Sequence, residues 1–223
     1  MDCFIFRAMI FADAEAQGIR GVSPTMIVDS DFIWIHFPKC AGTAIEKALH
    51  QVCPNAQFDE IDHKNVIWHD NIDQRKKRDP NFSTEGKKLI CCIRRLPEWI
   101  LSRIHFEAQR PPHHIATREM LVNGRFFENN GHINSADTYI SRYNNPLVDH
   151  WIRVEHIISD LSTAIGIEPS KLEAVMGREN KGKMDFIKEI SFWFTDGELK
   201  NLYQRNPQWA EIEFQLYGSL MSI

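Results

Sequence analysis

Residues 32–43 read FIWIHFPKCAGT: an apolar run rich in β-branched and aromatic side chains, then Pro38, Lys39 and a turn of small residues closing on Thr43. A continuous apolar run bounded by turn residues reads as a strand covered on both faces. From Thr43 to Val52 the period changes, with Ala44, Ile45, Ala48 and Leu49 falling on one face of a helix. A turn that leaves a buried parallel strand and enters a helix aims successive backbone N–H groups and the positive helix end at one point, which is an anion site. Gly42 lets the backbone come close, Lys39 adds a full charge, and the Thr43 hydroxyl adds a donor. A nucleotide loop of the G-x-x-x-x-G-K-[ST] type carries its lysine after the second glycine. Here the lysine precedes the glycine, so an ordinary ATP or GTP loop is not matched.

Working outward, further strand patterns lie at Asn65 to His69 and Leu89 to Ile93, with a weaker one at Trp151 to Val154. Helical patterns stand between and after them. Pro97 to Ala108 opens with a proline, which a first turn tolerates. Ser159 to Ile165 and Pro169 to Met176 each end at a glycine. Thr195 and Glu198 form a T-x-x-E capping box opening a helix toward Arg205, and Pro207 to Tyr217 makes a last helix closed by Gly218. The alternation gives an α/β fold with a central parallel sheet flanked by helices and a helical C-terminal third. Arg110 to Asn145 holds PPHH, NGR and NNGH, and reads as a loop-rich excursion, a lid or acceptor wall, within a single domain spanning 1–223. RKKR at Arg75 to Arg78 reads as a solvated connection, because no aromatic side chains interleave it.

The chain has 223 residues, 43% of them hydrophobic and 25% charged, which suits a folded domain with a sizeable core and excludes disordered and collagen-like classes. A formal charge of -4 argues against a generally basic nucleic-acid binder, so an anionic ligand needs a local cluster of cations. The apolar stretch from Met1 to Phe11 is interrupted by Asp2 and Arg7 and lacks a signal-peptide core. No apolar run approaches the roughly 20 residues of a membrane span. The cysteines number five, with Cys91 and Cys92 adjacent in an apolar run, which suits buried thiols and a reducing cytoplasm. No HExxH or paired CxxC occurs, and no metal is expected.

The stretch HFPKCAGTAIEKAL resembles the 5′-phosphosulfate loop of the sulfotransferases that use 3′-phosphoadenosine 5′-phosphosulfate (PAPS), a pattern close to H-x-P-K-[TC]-[AG]-G-T-[ST], with Ala44 in place of the last hydroxyl. ICCIRRLPEWILSR is similar to that family's 3′-phosphate motif, R-[DN]-P-x-x-R-x-x-S, and places Arg94 and Ser102 on its two phosphate positions. Arg95 stands for the Asp or Asn, the proline is moved to Pro97, and Trp99 replaces the second arginine. WIRVEHIISDL is similar to a late strand-and-helix segment, GRENKGK resembles the loop that closes over the nucleotide, and the closing helices carry Glu211 or Glu213 where an Asp is usual.

The resemblance implies a P-loop NTPase-like sulfotransferase architecture and PAPS as cofactor, leaving 3′,5′-bisphosphoadenosine (PAP) as product. It implies cofactor contacts from Pro38, Lys39, Cys40, Ala41, Gly42, Thr43, Ala44, Arg94, Ser102, Arg178, Lys181 and Lys183. Sulfuryl transfer to a hydroxyl or amine needs in-line positioning, cations on the leaving oxygens and a base. Lys39 suits the leaving charge, and His69, at the end of the expected second strand, suits the base, with Asp70, His63, His105 and Glu107 as alternatives. His36 reads as core. Cys40 sits at a helix N-terminus beside a lysine, conditions that lower a thiol pKa, but it has no partner base. The acceptor is a small molecule or a carbohydrate, for which PPHH, Phe126, Phe127 and the region from Tyr139 to Tyr143 are candidate walls. The competing readings are a PAPS- or PAP-binding module without transfer and a P-loop-like nucleotide kinase.

Overall fold

The computed structural model describes residues 26–59, 69–128, 130–176 and 186–223. The strands are β1 (Met26–Val28), β2 (Phe32–Ile35), β3 (Gln57–Phe58), β4 (Lys88–Ile93), β5 (Arg125–Phe127), β6 (Ile133–Ser135) and β7 (His150–Arg153). The helices are α1 (Gly42–Val52), α2 (Ile72–Arg78), α3 (Leu96–Gln109), α4 (Arg118–Val122), α5 (Ala136–Tyr143), α6 (Ile157–Ile165), α7 (Pro169–Val175), α8 (Ile190–Trp193), α9 (Asp196–Arg205) and α10 (Pro207–Tyr217). The described residues fall into two compact units, 26–94 with 141–176 and 95–140 with 186–223.

The first unit holds a mixed sheet in the order β3-β1-β2-β4-β7. All four residues of β2 are buried, as the unbroken apolar run requires of a central strand. β2, β4 and β7 are parallel, pairing Ile33 with Leu89 and Cys91 with Trp151. The sheet is not parallel throughout, as the sequence reading had it: β1 pairs antiparallel with both β2 and β3. The reason is the tight reversal between β1 and β2, closed by the Asp29 N–H donating to the Phe32 carbonyl at 2.9 Å and by Ser30 bonding the Asp29 carboxylate. A connection that short serves only antiparallel neighbours. Of the strand expected at Asn65 to His69, residues 65–68 lie outside the described residues, and His69 belongs to no strand.

α1 buries Ile45, Ala48 and Leu49, the face its spacing foretells, and α6 and α1 both pack on α7. RKKR is not a loop but most of α2. Asn71 caps that helix by accepting from the Gln74 N–H at 2.9 Å while the Gln74 side chain accepts from the Asn71 N–H at 3.0 Å, a reciprocal box that satisfies two end donors. Arg75 then meets Asp59 and Asp79, and Arg78 meets Asp59 and Asp70, so both arginines of the run are paired with carboxylates.

In the second unit the core is aromatic. Trp99 of α3 packs on Phe126, Tyr139 and Trp209, with ring centroids 5.3, 5.9 and 4.6 Å apart. The stretch 110–145, which runs from this unit into the first at residue 141, is not a plain loop: it carries α4, the β5–β6 hairpin and α5. Its turn residues make the hairpin connection, and Phe126 points inward at 0% exposure. Gly124, at φ 69°, lies where a Cβ would come 2.3 Å from the buried Asn206 amide, so only glycine fits. α9 opens with the expected box, the Glu198 carboxylate accepting from the Thr195 N–H at 2.8 Å, and α10 closes at Gly218 with φ 73°. Beneath α10 the buried Glu213 carboxylate accepts from the Leu96 N–H at 2.8 Å and the Tyr203 hydroxyl at 2.8 Å, and meets Arg95 at 3.2 Å. No helix among the described residues is long and apolar enough to cross a membrane.

Candidate functional site

β2 ends at Ile35, and His36, Phe37 and Pro38 continue buried to the loop that enters α1. Within that loop Lys39 and Ala41 both adopt left-handed backbone, φ 67° and 59°, with Cys40 wholly buried between them. Neither is glycine. L-residues hold this conformation at a cost of order 1–3 kcal/mol each, and such strain gathers where a fixed backbone shape is used. Left-handed residues alternating with right-handed ones are the backbone geometry from which anion-binding concavities of successive N–H groups are built in general. The Ala41 carbonyl accepts from the Ala44 and Ile45 N–H groups at 3.0 and 3.2 Å and so starts α1, whose first amides have no partner inside the helix.

Ala41 caps the helix without a side-chain bond, so Thr43 is not its N-cap and sits inside the first turn. Gly42 is not among the left-handed residues. It is glycine for want of space: a Cβ there would lie 1.8 Å from His36 Nε2. His36, read as core, is 6% exposed. Its ring stacks on Trp34 at 5.2 Å and meets the His69 ring in a T arrangement at 4.4 Å. The Tyr143 hydroxyl donates to the His69 carbonyl at 2.9 Å, and Phe37 packs on Tyr143 and Trp151 at 4.8 and 6.5 Å. The sequence reading has Tyr143 only within a candidate acceptor wall and His36 only as core, although the short spacing from His36 to Gly42 was a signal to find.

Arg94 follows the last residue of β4, half-buried, on the same strand end as the loop that leaves the parallel neighbour β2. Charge reaches the loop's buried thiol from several sides. Burial pushes Cys40 far above an ordinary thiol, and Cys92 and Glu155 add to this, while Arg94 and Lys39 oppose it. The expectation of a lowered Cys40 pKa is thus overturned: complete desolvation outweighs the helix end and both cations.

The loop from Pro38 to Ala44, Arg94 and His69 fall in one compact unit, and Ser102, half-buried on α3, falls in the other. Asp70 is held by Arg78 at 2.6 Å and Glu107 by Arg103 at 2.9 Å, which makes both structural ion-pair partners. His105 bonds the Leu101 carbonyl at 2.7 Å and stacks on Phe186 at 4.2 Å, and burial lowers its pKa against the raising effect of that bond. His63, Arg178, Lys181 and Lys183 lie outside the described residues. No cluster of three metal-ligating side chains exists among the described residues. No family model, curated protein or solved structure matches the chain.

Proposed function

We propose that the chain is a PAPS-dependent sulfotransferase of P-loop-like architecture, moving a sulfuryl group to a hydroxyl or amine of a small-molecule or carbohydrate acceptor. The observation that carries the reading is the left-handed pair Lys39 and Ala41 in the loop from β2 into α1. Such a loop accepts strain for shape, and the shape suits an anion. The donor set agrees with a nucleotide that is anionic at two ends: backbone amides and Lys39 for the 5′ end, and Arg94 at the end of β4 for the 3′-phosphate. Bound PAPS would supply an activated sulfuryl group on a good leaving group. Lys39 would supply a positive charge to leaving oxygens that gather negative charge in such a transfer. His69 takes the acceptor's proton, its ring orientation fixed by the edge contact with His36 and its backbone by Tyr143.

One observation favours a second reading. His69 Nδ1 is buried, which withholds that nitrogen from an acceptor's proton, and a chain that binds PAP without transfer is the alternative. Transfer of labelled sulfate from PAPS to a panel of alcohols, amines and sugars decides between them. Turnover lost in Lys39→Ala and His69→Ala supports the enzyme; PAP binding with no turnover on any acceptor supports the module.

A further inference from the structure

We propose that His36 is the positioning residue of the phosphate loop: its imidazole is the surface on which Gly42 rests, and it sets the depth of the backbone cradle. This rests on the reading of the loop as the 5′-phosphosulfate site. Three observations meet at the ring. A Cβ on Gly42 would stand 1.8, 2.3 and 2.5 Å from His36 Nε2, Cδ2 and Cε1, which places the Gly42 backbone directly on the imidazole. The ring cannot retreat, because Trp34 stacks on one side at 5.2 Å and His69 closes another at 4.4 Å. The residue is 6% exposed and follows directly on β2, whose last residue, Ile35, is paired on both sides.

Gly42 differs from the loop's strained residues. Lys39 and Ala41 need φ near 60°, yet neither is glycine, whereas Gly42 takes no such φ and still has no room for a methyl group. Its smallness is therefore dictated by His36 and not by backbone conformation. A methyl at 42 lifts the start of α1 away from the ring, and the amides of the first turn move with it. Removal of the ring frees that volume and makes the methyl tolerable. The pair behaves as a lock whose two halves compensate.

The test is a double-mutant cycle on PAP and AMP binding, with Gly42→Ala, His36→Ala and both together, read by calorimetry beside thermal unfolding of each variant. Gly42→Ala alone is expected to weaken both nucleotides by about tenfold to a hundredfold, the scale of an ångström-sized displacement. In the His36→Ala background the same change is expected to cost less than about threefold, a coupling between touching residues. Equal losses in both backgrounds, for binding and for unfolding temperature alike, would overturn the proposal. Arg94→Ala should weaken PAP and leave AMP unchanged, which separates the 5′ end from the 3′-phosphate. If the native protein binds neither nucleotide, the sulfotransferase reading fails, and the proposal fails with it as a cofactor device even where the unfolding temperatures show coupling.

Discussion

The His36 imidazole lies directly under Gly42, its Nε2 1.8 Å from where a Cβ would be, and the same ring meets His69 edge-on at 4.4 Å. One side chain thus supports the candidate anion loop and orients the candidate base. The consequences reach beyond those three residues.

Ala41 carries left-handed backbone at φ 59° and begins α1. Glycine relieves that strain, worth about 1–2 kcal/mol, against about 0.5–1 kcal/mol of added chain entropy in the unfolded state. Ala41→Gly should leave stability equal or raise it by about 1 kcal/mol in urea unfolding, and Ala41→Val should lower it. A clear loss on introducing glycine would mean that the loop is not held in this conformation.

Cys40, Cys91 and Cys92 are wholly buried and their thiols are pushed up by desolvation, Cys92 to about 12. Alkylation needs the thiolate and access to it. Iodoacetamide at neutral pH should leave all three unmodified in the native protein and label them after denaturation, as peptide mass spectrometry would record. Fast native labelling at Cys40 would contradict the buried loop.

Asp160 accepts from the Arg153 backbone N–H at 3.0 Å and from its guanidinium at 2.8 Å on each carboxylate oxygen. Burial raises its pKa, but these bonds and the Arg153 charge outweigh it and hold the carboxyl below its ordinary 3.8. The stabilisation is therefore complete above that value and is lost as the pH falls through the lower folded-state pKa. Asp160→Asn should cost about 1 kcal/mol near neutral pH and flatten the acid limb of the stability curve. An unchanged acid limb would remove the pair from the account.

Glu213, at 0% exposure, ties Leu96, Arg95 and Tyr203 together at the start of α3. Glu213→Ala strands the Leu96 N–H and the Tyr203 hydroxyl and leaves Arg95 with the Ser219 carbonyl in place of a carboxylate, and should cost about 3 kcal/mol in urea unfolding, the size seen when one member of a buried pair is removed. Glu213→Gln keeps an acceptor and should cost less. A loss below about 1 kcal/mol for alanine would show that water replaces the carboxylate.

Much of this architecture is legible in the residues. The runs behind β2 and β4 are long and apolar enough to declare buried strands, the weaker run at Trp151 to Val154 falls largely on the half-buried β7, and the box at Thr195 and the Pro207 to Gly218 frame mark helix ends by their own chemistry. β1 and β3 escape because three and two residues carry no period to read. Strand direction escapes because the Asp29 to Asp31 reversal, not composition, makes β1 antiparallel. α2 hides behind its own charge run, although Asn71 and Gln74 signal its start. At the site, lysine and glycine mark the loop, but the left-handed positions fall on Lys39 and Ala41, residues that give no hint of positive φ. Cys40 shows why a sequence rule for thiols needs burial as well as neighbours: cations are near, and desolvation still wins.

The most direct test of the central claim is a calorimetric titration of the purified protein with PAP, with AMP and ATP as controls and Arg94→Ala alongside. PAP is expected to bind at least about tenfold tighter than AMP or ATP, with Arg94→Ala closing the gap to AMP. No PAP binding, or an equal preference for ATP, would contradict the sulfotransferase reading and leave the Lys39 to Thr43 loop serving another anion.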